Sequence, residues 1–172
     1  MTDLHQDPVS EDFSTTPLAD GLTLVAWILL LVALGAGVGI LFGADEWYDA
    51  LLKPTFNPPA SVFGPVWTAL YAVMAAALWL VWRSRDDVAM RRTALRLFWV
   101  QFALNLLWSP LFFGLHSPGM AFVDICLLWT AVLATALAFG KVRPLAGYLM
   151  VPYVLWVSFA LVLNGTIWLM NL

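Results

Sequence analysis

The chain has 172 residues, of which 62% are hydrophobic and only 11% charged, with a net charge of −3. A soluble domain is about 45–50% apolar and about 25% charged, so this chain lacks the polar surface to cover a water-soluble core. The composition excludes a disordered chain, a disulfide scaffold (there is one cysteine) and a nucleic-acid binder, and it predicts a polytopic helical membrane protein.

Residues 1–20 carry five acids and no Lys or Arg. They read as a flexible acidic tail, without the basic n-region of a signal peptide. Five stretches of roughly 20 apolar residues, enough to cross a bilayer, follow: about 22–42, 60–82, 90–113, 118–139 and 145–170. The breaks have mechanisms. Gly43 and Asp45 close the first span, and Lys53-Pro54 and Pro58-Pro59 forbid helix before the second. Residues 83–87 form a charged turn, and 114–118 and 140–144 form short hairpin connections. The segments do not alternate polar and apolar, which argues against a β-barrel. The expected fold is therefore an all-α bundle of five transmembrane helices over residues 21–172.

Basic residues set the expected orientation. The tail's side holds Arg83, Arg85, Arg91, Arg92, Arg96, Lys141 and Arg143, and the other side only Lys53. This places the N-terminus in the cytoplasm and the C-terminus outside, and suits a bacterial inner membrane.

Within the spans the polar residues stand out. Asp124 lies about six residues, or roughly 9 Å, into the fourth helix. With no intramembrane Lys or Arg to pair with, it is expected to be neutral or hydrogen-bonded. It locks helices together or contacts a ligand, and a bond to Asn105 at similar depth is one option. The third helix carries Gln101, Asn105, Trp108 and Phe112 on one face. The fifth carries Tyr153, Trp156, Ala160, Leu163 and Asn164, and the second Trp67, Tyr71 and Met74. Such stripes are either interhelical glue or the lining of a cavity that stacks a large, flat, mostly apolar ligand. Gly35, Gly39 and Gly43 on the first helix are spaced for close helix packing, internal or between subunits. The segment 45–59, DEWYDALLKPTFNPP, is long for a helix hairpin. It holds Trp47, Tyr48 and Phe56, and serves as a lid on the bundle mouth or as an aromatic belt loop. No metal ligands, nucleotide loop or catalytic triad are present, and no cofactor is expected. His5 and His116 lie outside the spans, so axial haem ligation is not expected. A carboxylate-bearing tetrapyrrole would find only Lys53 as a cation on the lid side.

Five ordered motifs carry a specific resemblance over residues 22–168: DEWYDALLKPTFNPP, PVWTALY at 65–71, QFALNLLWSPLFF at 101–113, VDICLL at 123–128 and PYVLWVSFALVLN at 152–164. The chain resembles the translocator protein family, also called tryptophan-rich sensory proteins or peripheral-type benzodiazepine receptors (TspO/MBR). The resemblance implies a five-helix bundle, commonly a homodimer, that binds porphyrins such as protoporphyrin IX, sterols and benzodiazepine-type ligands. It implies roles in tetrapyrrole or sterol transport or stress sensing, or light- and oxygen-dependent porphyrin degradation. Trp67 and Trp156 resemble the tryptophans tied to porphyrin binding and breakdown. Asn105, Trp108 and Ala160 resemble pocket residues, and Trp47, Tyr48 and Pro58 the lid and its anchor. Phe56 stands where the family often has Trp. Residues 163–168 lack the Tyr and basic residue of the proposed cholesterol pattern, which favours a tetrapyrrole over a sterol.

Overall fold

The computed structural model describes residues 17–85 and 87–172. In chain order the helices are α1 (Pro17–Leu41), the short α2 (Glu46–Ala50), α3 (Ala60–Trp82), α4 (Val88–Ser109) with a π-helical extension (Pro110–Gly114), α5 (Pro118–Val142) and α6 (Pro144–Met170). Among the described residues there is no strand. Five helices are long and apolar enough to cross a membrane, as the hydropathy pattern predicts.

The expected tail lies outside the described residues up to position 16. Its last four residues open α1 instead. Pro17 suits the first helical position, and Asp20 in the first turn favours the helix dipole. Asp20 also holds Arg83 of the far end of α3 at 2.6 Å, and Trp79 Nε1 donates to Thr23 Oγ1. This end of α1 is thus fastened to α3.

The five long helices close a ring in the order α1, α3, α6, α5, α4, with α5 packed most extensively on α6 and α4. The α5–α6 contact is tight for a stated reason. A Cβ at Gly147 would lie 2.7 Å from Gly140 Cα, so two glycines let the backbones meet. Gly140 therefore stays helical, and the expected hairpin at 140–144 shrinks to Arg143 alone. On α1, Gly35 faces the Tyr71 ring, and a Cβ there would meet Tyr71 Cε2 at 2.0 Å. Gly39 has nothing within 4 Å of such a Cβ. Of the expected glycine stripe only Gly35 meets another helix, while Gly39 and Gly43 border a cavity.

Pro110 shapes the end of α4. It has no N–H to continue the ladder, and the turn widens so that Leu115 N–H donates to Pro110 O at 2.8 Å. This π turn keeps Phe112 buried and stacked on Trp108, 4.9 Å between ring centres.

Candidate functional site

The striped faces of α3, α4 and α6 converge on a cavity of about 470 Å³, inside the range of roughly 300–1,000 Å³ of small-molecule pockets. Trp67 and Tyr71 come from α3, Asn105 and Trp108 from α4, Phe112 from the π turn, and Trp156, Ala160 and Asn164 from α6. Tyr48 and Pro58 come from the 45–59 segment. Trp67 stacks on Tyr71 with centroids 5.5 Å apart and meets Trp156 edge-on at 6.4 Å. No Lys, Arg, Asp or Glu lines this cavity.

Its polar groups are held in place. Tyr71 O–H donates to Asn105 Oδ1 at 2.8 Å. Trp108 Nε1–H donates to Asn164 Oδ1 at 2.9 Å, and Asn164 Nδ2 donates to Pro118 O. The expected Asn105–Asp124 bond is absent, because Asn105 turns across the cavity toward α3. Asp124 is buried, and its Oδ2 has no partner among the described residues, nor do Gln101 Nε2 and Trp156 Nε1.

Six of the expected ligand contacts do not line the cavity. Gln101 and Tyr153 are fully buried below it, where Tyr153 O–H donates to Gln101 Oε1 at 3.0 Å. Asp124 is buried in α5. Trp47 and Phe56 stand outside the cavity lining, where Trp47 meets the Phe112 ring and Phe56 the Phe159 ring, and Lys53 Nζ donates to the carbonyls of Asp49 and Leu51 and sits 4.6 Å from the Tyr48 ring centre. Among the described residues Lys53 is the only Lys or Arg at this end of the bundle, and its ammonium is thereby engaged by its own loop.

That loop is a built structure. Asp45 caps α2, its carboxylate accepting from Tyr48 N–H at 3.1 Å, and this bond, then its contact with His116, holds its carboxyl below the ordinary value. His116 Nε2 lies 3.0 Å from Asp45 Oδ2, and its ring stacks on Trp47 at 4.4 Å. Tyr48 packs edge-on against Phe112 and Phe113 and donates to Asn57 Oδ1 at 3.3 Å. Burial raises the Tyr48 phenol above its ordinary pKa. At the chain's end Asn171 Oδ1 accepts from Leu52 N–H at 3.0 Å, and its Nδ2 donates to Leu52 O at 2.9 Å. Thus the segment folds over the bundle end rather than lying apart as a belt loop. Sequence reasoning missed α2, His116 and Asn171. The Asp45 cap with Glu46 and Asp49 in the following turn was a legible signal for α2; nothing in the sequence pointed to Asn171.

The remaining tryptophans serve packing. Trp129 Nε1 donates to Ser158 Oγ, joining α5 to α6. Trp27 contacts Trp82 and Trp99, and Trp168 tilts against Phe122.

The sequence model of the TspO/MBR family matches residues 27–169. The human translocator protein is 40% identical over 143 residues, covering 81% of this chain and 85% of its own. The tryptophan-rich protein TspO of Chlorobaculum tepidum is 43% identical over 156 residues (87% and 96%), and protein CrtK of Rhodobacter capsulatus 37% over 150 (87% and 94%). With five spanning helices and this match over most of its length, the chain is a multi-pass integral membrane protein that belongs to the TspO/MBR family.

Proposed function

We propose that the protein binds a flat, largely apolar tetrapyrrole of the protoporphyrin IX type in the cavity under the 45–59 lid, and acts in tetrapyrrole transport or stress sensing. One observation carries this reading: Trp67, Tyr71, Trp108 and Trp156 share one cavity whose other walls are mostly apolar. Aromatic faces at these spacings favour a stacked π system. The Asn105 and Asn164 amides on the cavity wall supply orientation. Sterol and benzodiazepine-type ligands suit the same walls but use the aromatic stacking less. The name of the human relative, translocator protein, accords with the transport mode.

The seven-to-one basic bias places the N-terminus in the cytoplasm, and a homodimer is the expected assembly. A C-terminal reporter active only in the cytoplasm should be silent.

The binding test is a titration of tryptophan fluorescence with protoporphyrin IX. Saturable quenching in the low-micromolar range, on the order of −8 kcal/mol, is expected for the native chain. Ala160→Phe fills the cavity from α6 and should abolish it. Non-saturable quenching, or full binding by Ala160→Phe, would overturn the reading.

A second reading is favoured by the Trp67–Trp156 edge contact at 6.4 Å. On it, these two residues act in light-driven breakdown of bound porphyrin, with dioxygen as oxidant. Illuminated, aerated complex should bleach, and the Trp67→Phe/Trp156→Phe variant should bind without bleaching. Equal bleaching by the variant would exclude this role.

A further inference from the structure

A second cleft, of about 490 Å³, lies at the opposite end of the bundle from the aromatic cavity. Arg83, Arg85 and Arg143 line it together with Leu80, Pro144 and Leu145. Nothing in the tetrapyrrole reading uses it. Arg83 is the C-cap of α3 and Arg143 the single residue between α5 and α6, so short connections fix where both side chains start. The turn carrying Arg85 is pinned as well: Ser84 is buried, and its carbonyl accepts from Arg91 Nη1 at 2.6 Å. Arg83 is held further, its guanidinium 4.4 Å over the Trp79 ring and 2.6 Å from Asp20 Oδ2.

The floor differs in character from the rim. Leu80 lies in the last turn of one spanning helix and Leu145 in the first turn of another, and Leu145 is 60% exposed. Guanidinium groups grip phosphate oxygens in paired hydrogen bonds. Basic pockets between spanning helices on the cytoplasmic side are built for phosphorylated headgroups. A soluble phosphate would use the rim alone, whereas a phospholipid uses both parts.

We propose that this cleft is a binding site for an anionic phospholipid, its headgroup phosphate among Arg83, Arg85 and Arg143 and its glycerol and first acyl carbons along Leu80 and Leu145. The test is native mass spectrometry of the full chain in neutral detergent, titrated with phosphatidylglycerol or with diacylglycerol of the same chains. Phosphatidylglycerol should give a saturable adduct and diacylglycerol none. Arg85→Gln/Arg143→Gln should weaken the adduct roughly 10- to 30-fold, while Arg92→Gln/Arg96→Gln, the same charge loss on exposed positions of α4, leaves it unchanged. Arg85→Gln alone, in an exposed turn, should give a partial loss in the same direction even if the double variant fails to fold. Equal binding of diacylglycerol, an unaffected Arg85→Gln, or an equal loss in the Arg92/Arg96 variant would overturn the site. Displacement of phosphatidylglycerol by inorganic phosphate at equal concentration would overturn the lipid assignment in favour of a soluble anion.

Discussion

Removing Asn171 should loosen the lid without touching the cavity. Its side chain makes two hydrogen bonds to the backbone of Leu52, at 3.0 and 2.9 Å, and these tie the 45–59 segment to the end of α6. Each such bond contributes about 0.5–1.5 kcal/mol net, and both lie at an exposed edge, so Asn171→Ala should cost about 1–2 kcal/mol of lid docking. That is roughly a 5- to 30-fold rise in the open fraction. Amide hydrogen exchange followed residue by residue in nanodiscs reads it directly. Leu52 and the α2 amides should exchange faster by that factor, while amides in the middle of α3 and α6 keep their protection. Asn171→Asp, which retains the acceptor for Leu52 N–H and loses the donor, should fall between. If 45–59 exchanges at the native rate in Asn171→Ala, the tether does not hold the lid, and the packing of Tyr48 and Trp47 on Phe112 suffices.

Gly147→Ala puts a Cβ 2.7 Å from Gly140 Cα, and overpacking of this kind costs about 1–3 kcal/mol; a lowered Tm in detergent should show it. Gly37→Ala, with nothing within 4 Å, should leave Tm near the native value. Acidification should open the lid. The folded-state pKa of Asp45 is depressed, so its contribution is present above the unfolded carboxylate pKa and is lost as pH falls through the folded one; exchange at Tyr48 N–H, corrected for intrinsic rate, should rise there and Asp45→Asn should remove the dependence. Because the cavity lining holds no Lys or Arg, protoporphyrin dimethyl ester should bind within a few-fold of the free diacid. A loss above about tenfold, or 1.4 kcal/mol, on esterification would mean that a cation, Lys53 first, pairs with the carboxylates.

Much of this architecture was legible because a bilayer imposes simple requirements. Five apolar stretches of sufficient length became five spans, and aromatic and amide residues spaced at helical intervals turned to a common interior. Depth along a stripe was not legible. Gln101 and Asn105 share a face, yet one turn separates a cavity wall from a sealed Tyr153–Gln101 pair. Partner choice was hidden too. Asn105 and Asp124 have similar depth on adjacent helices, but the ring order brings α3 across from α4 at the cavity, and Tyr71 takes the amide. Lys53 looked available as the lone cation of its side until local carbonyls captured it. The glycine spacing on α1 announced packing along the whole stripe, whereas Gly35 alone meets a ring. These are facts of tertiary geometry, and residue spacing does not encode them.

If the aromatic cavity is the ligand site, an experimental structure of the protein with bound protoporphyrin IX will show the macrocycle inside it. The macrocycle should lie beneath Tyr48 and Pro58, with the centre of one of its pyrrole rings about 4.5–7 Å from the Trp67 or Trp156 ring centre. A macrocycle found on the lipid-facing outer surface, or in the arginine cleft at the other end of the bundle, would contradict it.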